Sequence, residues 1–131
     1  MYQKPSAAFI GVSWVALGAG MLGFLIGLGR ADMQLNEKGF YFAVLMYGLF
    51  SAVSVQKSVR DRLEGIQVTD IYYGLSWFST IVAITLLVIG LWNASILPSE
   101  KGYYAFAFLL ALFGAIAVQK NTRDSGVSEP K

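Results

Sequence analysis

The sequence contains no cysteine and no histidine. Without cysteine, the chain has no disulfide, no thiolate metal ligand and no cysteine nucleophile. Without histidine, it lacks the side chain that most often acts as metal ligand, general base or haem ligand. Paired catalytic carboxylates and a phosphate-binding glycine loop are also missing from the sequence pattern. We therefore expect no cofactor, no metal site and no enzymatic activity.

Charged residues are also scarce. They make up 14% of the chain, whereas soluble domains have roughly 25%. The net charge of +2 is small, and the basic residues are scattered along the chain, so we expect no nucleic-acid partner. Hydrophobic residues make up 56% of the chain. This composition predicts a membrane protein, with the lipid bilayer as its main partner.

Four apolar segments without charged residues follow one another along the chain, at about 7–29, 40–56, 71–92 and 103–119. The first covers roughly 34 Å as a helix, enough to cross a hydrocarbon core about 30 Å thick. The second and fourth are shorter and need help from flanking residues. The sequence therefore predicts an all-α membrane protein with four transmembrane helices. Charge inside a span is the usual mark of ion-coupled transport, and its absence argues against that activity.

The chain repeats itself after 63 residues, with 19 identities in 53 aligned positions. We expect two units of two helices each, 1–65 and 66–127, followed by a short tail at 128–131. Because each unit has two spans, both enter the membrane in the same sense. They should be related by a pseudo-two-fold axis along the membrane normal. The clearest matches are Gly11–Trp14 with Gly74–Trp77, Glu37–Tyr41 with Glu100–Tyr104, and Gln56–Asp61 with Gln119–Asp124.

The paired Glu-Lys-Gly-aromatic-Tyr and Gln-Lys-x-x-Arg-Asp elements resemble those of the YiaA/YiaB two-helix-domain family of bacterial inner-membrane proteins. The resemblance covers about residues 6–127. It implies an inner-membrane location and two tandem parallel-related two-helix hairpins. It implies no activity, and it provides no catalytic residue.

Positive charge is unevenly divided between the two sides of the predicted membrane. Each unit of two spans returns the chain to the side of the membrane where it began. The two termini and the middle linker should therefore lie on the same side. They contain seven Lys and Arg residues and the two short loops contain three, which predicts that both termini are cytoplasmic. The seven are Lys4, Lys57, Arg60, Arg62, Lys120, Arg123 and Lys131, and the three are Arg30, Lys38 and Lys101.

A charged motif follows the second and fourth spans. If each helix continues beyond the apolar segment, Lys57 lies beside Asp61, Lys120 beside Asp124, and Gln56 beside Arg60. One interpretation is a repeated docking site for a partner or for lipid phosphates. The other is an interfacial anchor that sets helix depth. The candidate docking residues are Gln56, Lys57, Arg60, Asp61, Gln119, Lys120, Arg123 and Asp124.

The side of the membrane with the two short loops carries candidate helix caps. Asn36 and Ser99 are predicted N-caps, each followed by a glutamate that complements the helix dipole.

The spans carry small residues at four-residue spacing. Small residues let helix backbones approach closely in lipid, either within the bundle or in a homo-oligomer. The candidate packing residues are Ala19, Gly23, Gly27, Gly48, Ala52, Ala107, Ala111 and Ala115.

Two functions remain open. The first is a structural or interaction protein, a scaffold or accessory subunit that binds itself or a larger membrane complex. The alternative is an oligomeric small channel or transporter for an uncharged or small solute. A channel needs hydroxyl side chains that converge on one path, and the candidates are Ser13, Ser51, Ser54, Ser76, Ser79, Thr80 and Thr85.

Overall fold

The computed structural model describes residues 4–128, with side chains up to residue 126. The described residues form four α-helices: α1 at Ala7–Arg30, α2 at Leu35–Leu63, α3 at Asp70–Asn93 and α4 at Pro98–Ser128. Each is long and apolar enough to cross a membrane. The predicted all-α class with four transmembrane helices is confirmed. The predicted tail, 128–131, lies outside the described residues except for Ser128 at the end of α4.

The second helix of each unit is longer than its apolar segment. Helices α2 and α4 continue past Val55 and Val118 through the charged motif. The charged side chains therefore project from regular helix, where residues four apart share a face. The linker to α3 turns at Gly65, which has a φ of 79°. Arg62 closes this linker by pairing with Asp70 at 2.8 Å and by lying over the ring of Tyr73.

The helices begin with capping arrangements that the repeat has preserved. Ser6 and Thr69 accept hydrogen bonds from backbone N–H groups at the starts of α1 and α3. At the starts of α2 and α4, Glu37 and Glu100 accept from the backbone N–H groups three residues earlier, at 3.1 and 2.9 Å. These glutamates satisfy a donor that the helix start leaves unpaired.

The predicted caps Asn36 and Ser99 were therefore wrong. Helix α2 begins at Leu35 and α4 at Pro98, so Asn36 and Ser99 lie inside the first turns. Proline fits the first helical position because its missing N–H has no partner there in any helix. The glutamate three residues after the true cap sets the start of each helix.

Helices pack mainly across the two units. Helix α1 packs along α4 and α3 along α2, both antiparallel, whereas α1–α2 and α3–α4 contacts are slight. Helices α2 and α4 run parallel and meet at the centre, where the rings of Tyr41 and Tyr104 stack with centroids 6.3 Å apart. This order, α1–α4–α2–α3, is what a pseudo-two-fold axis between α2 and α4 produces.

The two outer helices are mostly exposed to the surrounding lipid, and the core lies along α2 and α4. Phe24, Leu45, Phe108 and Ala111 are fully buried in it. Exposed apolar residues such as Trp14 and Phe78 belong to α1 and α3. An outward apolar surface is expected of a chain that has hydrocarbon as its solvent.

Candidate functional site

Ion pairs join the ends of α2 and α4. We call this group the arginine edge, and it consists of Lys57, Arg60, Asp61, Glu64, Lys120, Arg123 and Asp124. Arg60 pairs with Asp124 at 2.6 Å, and Arg123 pairs with Asp61 at 2.8 Å. The repeat aligns Arg60 with Arg123 and Asp61 with Asp124, so the two contacts are equivalent. The aligned motifs thus bind each other across the pseudo-two-fold axis.

Each aspartate also receives a lysine from its own helix. Lys57 lies 2.8 Å from Asp61, and Lys120 lies 2.8 Å from Asp124. These neighbours, predicted from their four-residue spacing, are confirmed. The predicted pairing of Gln56 with Arg60 stays a prediction. The carboxylates therefore bridge a helical neighbour and an arginine of the other unit.

Glu64 breaks the symmetry of the arginine edge. It accepts from Arg60 at 2.6 Å and from Arg123 at 2.8 Å, so it links both units. Its repeat partner is Val127, which cannot form an ion pair. Hydrogen bonds from Arg123 and Arg60 hold the pKa of Glu64 below its ordinary value. Glu64 was missed in the sequence because it follows the repeated motif.

The predicted docking residues differ in burial, and Gln56, Gln119 and Arg123 are partly buried. Arg60, Asp61 and Asp124 are buried. A buried ion must be paired, and removing one partner leaves an uncompensated charge. The side chains of Lys57 and Lys120, in contrast, are each 53% exposed. The docking hypothesis stays a prediction, and within it the lysines are the groups accessible from outside.

The small residues predicted for packing lie mostly between helices. Gly48 faces Phe108, and Ala52 is buried on the same side of α2. Gly23 and Gly27 lie beside Tyr103, whose hydroxyl donates to the Gly23 carbonyl. On α4, the buried members are Ala107, Ala111 and Ala115.

Ala19 is exposed and lies outside the packing within the chain. The buried stripe of α1 is turned by one residue from the predicted one, and its members are Ser13, Ala16, Gly20, Phe24 and Leu28. Four-residue spacing alone does not show which of several small-residue stripes faces the neighbour, because α1 is apolar all round.

The hydroxyl side chains fall into separate groups. Ser51 and Ser54 of α2, with Ser76 and Ser79 of α3, line one cavity. Ser13 accepts a hydrogen bond from Asn121 of α4 at 3.0 Å. Thr80 and Thr85 donate to carbonyl groups of their own helix. Four of the seven candidates thus converge, at the side of the bundle and away from its axis.

Comparison with known proteins accounts for the repeat. The family model described as the yiaA/B two helix domain matches the chain twice, over residues 9–61 and 72–124. The chain belongs to the YiaA/YiaB family. The resemblance inferred from the motifs is confirmed, and each match contains one Glu-Lys-Gly element and one Arg-Asp element.

Three similar proteins support the assignment. The chain is 59% identical to inner membrane protein YiaA of Escherichia coli K12 over 126 residues, which cover 96% of this chain and 87% of that protein. It is 32% identical to inner membrane protein YiaB of the same organism, over 72% of this chain and 80% of that protein. The uncharacterized membrane protein YubF of Bacillus subtilis is 38% identical over 47% of this chain and 72% of that protein. No solved structure matches the chain.

A close backbone approach between α1 and α4 in this YiaA/YiaB-family chain was missed in the sequence. A Cβ at Gly20 would lie 2.4 Å from the Ala111 nitrogen, and a Cβ at Gly114 would lie 2.3 Å from the Leu17 nitrogen. The repeat gave no signal for either glycine, because their counterparts are Ala83 and Ser51. The α1–α4 contact is therefore tighter at this level than the related α2–α3 contact.

Proposed function

We propose that this multi-pass inner-membrane protein has a structural or interaction role, as a scaffold or accessory subunit, and that it is not an enzyme. One observation carries the proposal: the arginine edge joins α2 to α4 and presents Lys57 and Lys120 outward at repeat-related positions. Two equivalent cations on a fixed frame suit a partner that carries acidic groups at a matching spacing.

The central helices support a passive role. The axis between α2 and α4 is occupied by the Tyr41–Tyr104 stack, by the buried ring of Phe108 and by the ion pairs of Arg60 and Arg123. Close packing of this kind holds two helices in one arrangement. A fixed arrangement suits a subunit that positions others, because the accessible lysines keep their spacing.

Lysine replacement tests the docking surface. We expect the Lys57→Ala/Lys120→Ala variant to lose a co-purifying membrane protein that the unaltered chain retains in mild detergent. The control is Lys38→Ala/Lys101→Ala, which removes two repeat-related charges from the opposite edge. Native mass spectrometry and identification of the bound proteins provide the measurement. An unaltered chain that purifies alone as a monomer would contradict the proposal.

We also propose that the arginine edge faces the cytoplasm, because seven of the ten Lys and Arg residues belong to the middle linker with its helix ends and to the terminal segments of the sequence. The chain has no cysteine, so single-cysteine variants report one position each. In intact cells, a membrane-impermeant thiol reagent should label Asp32→Cys and spare Gln67→Cys. The opposite labelling would reverse the orientation.

A second candidate is an oligomeric channel for an uncharged solute, and the convergence of Ser51, Ser54, Ser76 and Ser79 favours it. In proteoliposomes, such a channel should increase glycerol permeability, and Ser54→Leu should reduce the increase. Permeability equal to that of protein-free liposomes would remove this candidate and leave the interaction role.

A further inference from the structure

A cavity of about 110 Å³ lies between α2 and α3, within the membrane-spanning part of both helices. One water molecule needs about 10–15 Å³ of such volume, so the cavity has room for a group of several non-hydrogen atoms. Six of its eight lining residues carry a hydroxyl group: Tyr47, Ser51, Ser54, Tyr72, Ser76 and Ser79.

Ser51 lines this cavity and carries its most deeply buried hydroxyl group. Its side chain is 2% exposed, and its hydroxyl oxygen makes no hydrogen bond to any residue that the structure describes. A buried hydroxyl without a partner costs free energy, most of all where the surrounding solvent is hydrocarbon. Native structures rarely leave such a group unpaired, which indicates a bound polar group.

The repeat supplies an internal comparison. At the matching place between α1 and α4, Gly114 takes the position of Ser51, Ala117 that of Ser54 and Ala16 that of Ser79. There the two helices touch, and a Cβ at Gly114 would overlap the backbone of α1. Close packing in one copy thus corresponds to hydroxyl-lined space in the other. Helix packing alone does not require the serines, because the same fold closes without them.

The lining defines the chemistry of the occupant. None of the eight described residues that line the cavity is charged, and a charged ligand would be uncompensated at this depth. Ser76 donates its proton to the Tyr72 carbonyl at 2.8 Å, so its oxygen is available to accept a hydrogen bond. Ser51 is available to donate as well as to accept. The occupant is therefore neutral and carries both donors and acceptors, as an alcohol does.

The mouth of the cavity indicates the source of that alcohol. Phe50 and Leu75 line the cavity and are 72% and 57% exposed, so they face the hydrocarbon of the bilayer. Ser51 lies nine residues before Arg60, or roughly 13 Å along the helix from the arginine edge. A molecule dissolved in the membrane reaches this position directly, with its acyl chains against Phe50 and Leu75.

We propose that this cavity binds the uncharged, hydroxyl-bearing head group of a neutral glycerolipid. The Ser51 hydroxyl donates to the ligand, and the Ser76 oxygen accepts from the ligand's hydroxyl group. This site is separate from the arginine edge, so it stands or fails independently of the docking role. The same hydroxyl chemistry is present in free glycerol, which would enter from water.

Binding of dioleoylglycerol to the full chain in mild detergent tests the proposal, with native mass spectrometry as the readout. We expect saturable binding of one molecule. In Ser51→Ala/Ser54→Ala/Ser79→Ala, binding should weaken about tenfold or more, because several hydrogen bonds are lost. Ser79→Leu, which fills the cavity from a partly exposed position, should abolish binding. The control Thr85→Ala/Thr122→Ala removes two exposed hydroxyls elsewhere and should bind as the unaltered chain does.

Two further probes distinguish the source and the charge of the ligand. Dioleoylphosphatidic acid, which differs by one phosphate, should bind at least tenfold more weakly. Competition by millimolar glycerol would support the same site with an aqueous ligand. Absence of saturable binding by both dioleoylglycerol and glycerol would overturn the proposal. So would unchanged binding in the Ser79→Leu variant, with its fold verified by circular dichroism and gel filtration.

Discussion

Two glycine residues, Gly20 and Gly114, allow α1 and α4 to touch at the level of their backbones. At each position an added Cβ would lie closer than 2.5 Å to a backbone nitrogen of the opposite helix. Backbone atoms cannot rotate away as a side chain can, so the helices themselves must separate to admit a methyl group. Dispersion contacts, which drive helix association in lipid, are lost when they separate.

Replacement of Gly20 by alanine should therefore destabilise the protein by about 1–3 kcal/mol, the usual cost of overpacking a close contact. Reversible unfolding in mixed detergent micelles measures it. The controls are Gly11→Ala and Gly18→Ala on the same helix, where no described atom of another helix lies within 4 Å of the added Cβ. Both should keep or slightly raise stability, because alanine favours helix. Equal stability of the Gly20 variant and its controls would refute the close contact.

Glu64 is a residue-scale feature with a pH-dependent effect. Its pKa is lowered by hydrogen bonds from Arg123 and Arg60, so its charged form stabilises the folded state. For a lowered pKa, that stabilisation is complete above the ordinary glutamate value of about 4.3 and is lost as the pH falls through the folded value.

The melting temperature of the unaltered chain should therefore fall between about pH 5 and pH 3, and Glu64→Gln should reduce this fall. Both proteins retain Asp61 and Asp124, so the difference between the two profiles reports Glu64 together with its coupling to these aspartates through the shared arginines. Thermal unfolding in detergent, followed by circular dichroism, gives both profiles. Parallel profiles would show that Glu64 does not link the two arginines.

At the scale of the helix, the repeat preserved the termini more than the spans, and the contacts explain why. Each glutamate of the Glu-Lys-Gly element caps its own helix. Each lysine reaches back to the end of the preceding helix, where Lys38 donates to the Gly29 carbonyl and Lys101 to the Trp92 carbonyl. A cation at a helix C-terminus is favourable for the same reason as an anion at the N-terminus.

Glu37→Ala and Glu100→Ala should each cost about 0.3–1.5 kcal/mol, because the start of α2 or α4 loses its cap. Hydrogen exchange of the first-turn amides measures the local opening. Asn36→Ala and Ser99→Ala serve as neighbouring controls and should leave that exchange unchanged. If the controls open the turn and the glutamate variants do not, the capping assignment is wrong.

The helices and the repeat could be predicted from the sequence, but the starts of α2 and α4 could not. Four uncharged apolar runs identify α1 to α4, although the second and fourth need flanking residues to cross a bilayer. Asn36 and Ser99 are better caps by type than Gln34 and Leu97. The glutamates set the starts of α2 and α4. Each one accepts a hydrogen bond from the backbone N–H group of the residue three positions earlier, and that residue lies at the true helix start. Residue preference was outweighed by this side-chain contact.

Across the whole molecule, the two units hold each other more than each holds itself. Arg60 and Arg123 reach carboxylates of the opposite unit, and α1 packs along α4. The aligned motifs predicted the ion pairs within each helix. They could not predict the pairs between units, because an internal repeat does not show which copies meet. The same limit concealed the tight glycine contact and the hydroxyl-lined cavity, which both depend on differences between the copies.

The central claim is that α1 of the first unit packs against α4 of the second within one chain, and a cysteine cross-link tests it most directly. A Cβ at Gly23 would lie 4.0 Å from the Ala107 Cβ, within the range of a disulfide. The chain has no native cysteine to interfere. The matched control, Gly23→Cys with Leu86→Cys, places the second cysteine at the repeat-equivalent position of α3, which makes no contact with α1 in the part of the chain that the structure describes.

Membranes that contain Gly23→Cys/Ala107→Cys are oxidised, and the linker near Gly65 is then cut at an inserted protease site. We predict that the two halves stay joined as one monomer-sized species until a reductant is added, and that the control halves separate. Separation of the Gly23–Ala107 halves, together with joining in the control, would contradict the account.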